Sequence, residues 1–92
     1  MSEAPSGFVD ALATLPEGSS RGRAHGRTYI ATKTSFNAGR SIKLVAEELG
    51  GTDYISLNLY KLTNGARLYP CEMPAEKVIR FVTSFRPDQE AG

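Results

Sequence analysis

A chain of 92 residues, 40% apolar and 23% charged, has the composition of one globular domain, and at that size it buries roughly 60 to 65% of its unfolded surface around a single core. The net charge of +1 hides an asymmetry: residues 1–17 carry three acids and no base, residues 18–46 six bases and no acid, and residues 47–92 seven acids against five bases. No apolar run approaches the ~20 residues of a membrane span, the acidic N-terminus lacks the bases of a signal peptide, and the single cysteine, Cys71, forms no internal disulfide, so a cytoplasmic protein without a membrane partner is expected.

Phe8, Ala11, Leu12 and Leu15 recur at helical spacing behind Ser6, a candidate N-cap, and Pro16 stops them, which predicts a short N-terminal helix. Gly18 to Gly26 (GSSRGRAHG) has no large apolar residue and reads as a flexible basic linker. Arg27 to Phe36, rich in Thr, Tyr and Ile, predicts a first strand closed by a three-residue loop, Asn37-Ala38-Gly39. Ser41 to Leu49 fits two readings. Ile42, Val45, Ala46 and Leu49 match a helical face, whereas the hairpin signal before them and the Gly50-Gly51-Thr52-Asp53 turn after them favour a strand.

Tyr54 to Leu62 alternates Ile55, Leu57 and Leu59 with polar partners, Asn64-Gly65 marks a hairpin, and Arg67 to Cys71 continues as a strand that Pro70 either places at an edge or stops from pairing further. Pro74, Glu76 and the stripe Ala75, Val78, Ile79, Val82 and Phe85 predict a closing helix that Pro87 ends. The expected fold is therefore α+β: a four-stranded antiparallel meander with a C-terminal helix on one face, preceded by a short N-terminal helix. Residues 1–26 form the short helix and linker, 27–86 the domain and 87–92 a disordered tail; residues 1–7 are also expected to be mobile.

Turn lengths convert this into a face assignment. A two-residue turn at Asn64-Gly65 sets Tyr60 opposite Tyr69, Asn58 opposite Cys71 and Leu62 opposite Arg67. A three-residue loop at Asn37–Gly39 sets Lys33 opposite Lys43 and Tyr29 opposite Glu47, with Ile30, Ile42 and Leu44 in the core. Tyr29, Tyr54, Tyr60 and Tyr69 then share the outer face with Lys33, Lys43 and Arg67, and the opposed lysines favour a bound anion.

Cations interleaved with aromatics suit phosphates and unpaired bases, so single-stranded DNA or RNA is the expected partner, held by Arg21, Arg23, Arg27, Lys33, Lys43, Tyr60, Arg67 and Tyr69. The same face also fits a protein-interaction or homo-oligomerisation module. No catalytic residue, cofactor or metal is expected. His25 is the only histidine and Cys71 the only cysteine, Glu47 and Glu48 point to opposite faces, Glu72 and Glu76 suit a helix start, and Gly18, Gly22 and Gly26 lack phosphate-loop spacing. In element order, YISLNLYKL, NGARLY and PAEKVIRFV within residues 27–86 resemble the unit of the Pur-alpha repeats and of the positive-cofactor-four-like coactivators. That resemblance implies single-strand binding on a curved sheet and a homodimer.

Overall fold

The computed structural model describes residues 2–88. The chain is α+β, in the order β1 (Ser2–Glu3), α1 (Ser6–Thr14), β2 (Gly18–Ala24), β3 (Arg27–Phe36), β4 (Ser41–Glu48), β5 (Tyr54–Leu62), β6 (Gly65–Pro70), α2 (Ala75–Ser84) and β7 (Arg86–Pro87). All pairings are antiparallel and the sheet runs β1-β6-β5-β4-β3-β2-β7. The long strands β2 to β6 form one continuous meander, and the two-residue strands close its edges. No helix among the described residues is long and apolar enough to cross a membrane.

The expected four-stranded meander is thus part of a larger sheet. Gly18 to Ala24, read as linker, is a strand because its backbone pairs along its whole length with β3, and His25 and Gly26 close the hairpin with positive φ of 53° and 76°. Two consecutive left-handed residues make the turn whose twist suits adjacent antiparallel strands. Ser41 to Glu48 is a strand, settling the ambiguous segment. Residues expected to be loose at the N-terminus include β1, which pairs Ser2 with Leu68 and Glu3 with Arg67. Pro87 belongs to β7, and the rest of the expected tail from residue 89 lies outside the described residues.

Both helices pack on one face of the sheet and against each other. Phe8, Leu12 and Leu15 come from the α1 segment, and Val78, Phe81, Val82 and Phe85 from the α2 segment. They meet Ala31, Ile42, Leu44, Ala46, Ile55, Leu57, Leu59 and Leu68. Full burial of each large apolar side chain is worth about 1.5–3 kcal/mol, so the helices are held mainly by this contact. The end of α2 comes very close to β2. A Cβ at Gly22 would lie 2.5 Å from the Arg86 carbonyl oxygen and 2.6 Å from the Phe85 ring, so glycine is required there.

One charged side chain enters the core. Lys33 is 7% exposed, and its Nζ donates to the carbonyls of Leu12 at 2.9 Å, Ala13 at 3.3 Å and Leu15 at 2.9 Å. An ammonium group has three protons, and the last turn of a helix leaves carbonyls without partners at the negative end of its dipole. The two deficits cancel. Glu17 then accepts hydrogen bonds from the Ser35 amide and hydroxyl, fixing the chain between α1 and β2 to the same strand. Burial pushes the Lys33 ammonium below its usual value, with Lys61 acting in the same direction and Glu17 against it.

The register explains why Lys33 is inside. The loop between β3 and β4 has four residues, Asn37 to Arg40, so Lys33 faces Leu44 and Tyr29 faces Glu48, one step from the expected pairing. Asn37, Ala38 and Gly39 all have positive φ, and alanine gives no warning of that conformation. Because side chains alternate, the single step turns Tyr29, Ala31 and Lys33 inward and Ile30 outward. In the other hairpin Thr63 and Asn64 form the turn and Gly65 opens β6 with a φ of 122°. That two-residue shift pairs Tyr60 with Arg67 and Asn58 with Tyr69, and every side chain keeps its expected face.

Two substitutions test this packing. Lys33→Met keeps the apolar stem and strands the carbonyls, and a loss of about 1–3 kcal/mol is expected in urea unfolding. Gly22→Ala forces Phe85 and β7 away from β2, with an expected loss of similar size from overpacking. Unchanged midpoints in both variants would show that neither contact supports the fold.

Candidate functional site

The face away from the helices is uncovered from β2 to β6, because no element after β6 crosses it and both helices are committed to the core side. The register arranges its side chains in cross-strand rows. One runs Arg67, Tyr60, Ser41 and Phe36; the next runs Tyr69, Asn58, Lys43 and Thr34. Further along, Tyr54, Glu47, Ile30 and Arg21 share a row, and Thr28, Arg23 and Arg86 another. The first two rows contain no carboxylate from β3 to β6. Lys43 therefore stands without an acidic neighbour across either adjacent strand.

Aromatic surface lies beside these cations. Tyr60 and Tyr69 are diagonal neighbours with ring centroids 5.2 Å apart at 78°, an edge-to-face pair, and both rings are 39% exposed. Phe36 at 50% and Leu62 at 55% exposure extend the surface toward the loop ends of β3 and β5. Leu62 was expected on this face, opposite Arg67; Phe36 was not, and Arg86 reaches the face only through the pairing of β7.

Of the residues expected to meet nucleic acid, Arg21, Arg23, Lys43, Tyr60, Arg67 and Tyr69 lie on this face. Lys33 and Arg27 do not. Lys33 is the buried cap of α1, and Arg27 takes the helix side of β3 along with Tyr29. Arg21 is partly neutralised, with its Nε 3.7 Å from Asp88.

Tyr29 and Arg27 belong instead to a network at the other surface. The Tyr29 hydroxyl donates to Asp53 Oδ2 at 2.7 Å, and Lys77 Nζ lies 2.7 Å from Oδ1. The Asp53 amide donates to Glu48, whose carboxylate also attracts Arg27 at 3.8 Å. The network joins β3, the loop before β5 and the first turns of α2, so it fixes the helix over the sheet. Lys77 holds the Asp53 carboxyl below the usual carboxylate range. Burial, and then the hydrogen bond to Asp53, push the Tyr29 phenol up to about 12. The Tyr29 ring also meets Phe81 edge-to-face at 4.9 Å.

Among the described residues no cluster of three His, Cys, Asp or Glu side chains is placed to hold a metal. Cys71 is half-buried, its sulfur 3.8 Å from the Asn58 amide. In searches against family models, curated proteins and solved structures, nothing matches this chain.

The phenol shift carries a pH signature. Above pH 10 an unfolded tyrosine ionises, while folded Tyr29 holds its proton to about 12. The folded state then binds more protons, so stability falls as pH rises through that window. Tyr29→Phe lacks this component, and its unfolding free energy is expected to fall less steeply between pH 10 and 12. Parallel slopes for the two proteins would contradict the assignment.

Proposed function

We propose that this is a cytoplasmic module that binds single-stranded nucleic acid on the open face of its sheet. The observation that carries the reading is the adjacency of Lys43, Arg67, Tyr60 and Tyr69 on an uncovered stretch of β4 to β6, where Lys43 has no carboxylate across either adjacent strand and Arg67 has Glu3 of β1 as its register partner. Exposed rings stack bases of any identity, and neighbouring cations meet the phosphates between them. From β6 to β2 the face is about 19 Å wide at ~4.8 Å per strand, which adds Arg21, Arg23 and Arg86 as a second basic band. The order β3 to β6 followed by α2 is also the four-strand-and-helix layout on which the resemblance to single-strand binders rests.

A second reading has its own observation. Phe36 and Leu62 form an apolar corner on the same face, which suits a protein partner or a second copy of the chain. In that case light scattering reports a dimer whose stability falls in Leu62→Ser, and oligonucleotides do not bind.

Titration with a labelled single strand of about 20 nucleotides separates the two. Binding at low salt is expected, with Tyr60→Ala or Tyr69→Ala weakening it about 5- to 150-fold, the equivalent of about 1–3 kcal/mol per stacked base. Lys43→Ala is expected to lower the slope of log affinity against log salt by about 0.7. A chain that ignores the oligonucleotide at low salt does not have this function.

A further inference from the structure

A cleft of about 550 Å³ opens at the end of the sheet opposite the Asn37–Arg40 loop, on the helix side, between the β2–β3 turn, the loop before β5 and the start of α2. That is within the size of ordinary small-molecule sites, about 300–1,000 Å³. Tyr29, Ile55 and Phe81 underlie it but are each buried to within 2% of complete, so the apolar surface it offers comes from Pro74 and the aliphatic stems of Lys77 and Arg80. Basic groups surround the opening, namely His25, Arg27, Lys77 and Arg80, against two carboxylates, Asp53 and Glu76.

These charges are not paired off evenly. Asp53 is consumed by Lys77 and the Tyr29 hydroxyl, both at 2.7 Å. Arg27 is left 4.0 Å from Asp53 and 3.8 Å from Glu48, beyond hydrogen-bond length. Among the described residues no ion pair or hydrogen bond engages the side chain of Arg80, nor that of His25. Glu76, one helical turn before Arg80, does not reach it. Two guanidinium groups and an imidazole therefore have donors to give at the rim of the cleft, beside the apolar surface of Pro74 and the Lys77 stem, the combination that recognises an organic ligand ending in an oxyanion.

We propose that this cleft binds a small organic oxyanion, its flat apolar body against Pro74 and the stems of Lys77 and Arg80 and its carboxylate or phosphate met by Arg27, Arg80 and His25. The site lies on the opposite side of the sheet from Tyr60 and Tyr69 and is independent of the nucleic-acid reading.

Calorimetric titration of the full chain uses three probes. Benzoate and adenosine monophosphate share a flat body and differ in the oxyanion, and inorganic phosphate has no body. Saturable binding of at least one organic probe, tighter than inorganic phosphate, is expected. Arg80→Ala is expected to weaken it about tenfold, the scale of one charge-assisted contact. His25→Asn, which tolerates the turn's φ of 53°, is expected to weaken it further. Both positions are exposed, and unchanged unfolding midpoints verify that the variants remain folded. The inference is overturned if neither organic probe saturates, if inorganic phosphate binds as tightly as both, or if the two substitutions leave binding unchanged.

Discussion

Lys33 brings a positive charge into the core and delivers it to the exposed carbonyl end of α1. A buried ammonium left unpaired is strongly disfavoured, so its burial is tolerable only with α1 in place. The converse also holds, because α1 has no basic residue in its last turn and Thr14 answers only the Ala11 carbonyl. Helix and strand therefore depend on each other. The phase of β3 follows: with Lys33 inward, Ala31 and Tyr29 are inward too, and Tyr29 reaches Asp53 and, through it, Lys77 on α2. Both helices are thus tied to one strand, by a lysine near its end and a tyrosine near its start.

Much of this was legible in the sequence where periodicity was strong. The alternation of Ile55, Leu57 and Leu59 fixes β5 and its faces, and the stripe through Val78, Val82 and Phe85 fixes α2. What escaped was decided by tertiary pairing. Gly18 to Ala24 lacks large apolar side chains because its inward positions are small: Gly22 lies against Phe85 and Arg86 at the end of α2 and Ala24 is buried in the core, so compositional signals of a linker are here signals of close packing. The β3–β4 register turned on Ala38 adopting positive φ, which nothing in its chemistry announces. The candidate nucleic-acid face survived in most of its residues because the error at Asn64-Gly65 was two residues, which preserves phase, whereas the error at Asn37–Gly39 was one, which inverts it.

Moving Lys33 inward also changes the electrostatics of the open face. The like-charge pair with Lys43 does not exist, since Thr34 faces Lys43, and the face carries less positive charge than the sequence suggested. Its cations are instead spread in two bands, Lys43 with Arg67 and Arg21 with Arg23 and Arg86, separated by Val45, Ser56, Thr32 and Ser19. The basic excess of residues 18–46 is thereby divided between the two sides of the sheet, with Arg27 turned toward the helices.

The short strands at the margins shape how this molecule meets others. Open sheet edges invite further strands, and here each edge carries a strand of only two residues, β1 on Arg67 and Leu68 and β7 on Gly22 and Arg23, with Pro70 at the end of β6 and Pro87 in β7 removing amide donors nearby. Among the described residues Gly18 to Ser20 of β2 have no partner strand on their outer side, so the margin of the sheet is blunted rather than sealed. The broad face can be read only through side chains, and the β2 margin is where backbone is still on offer.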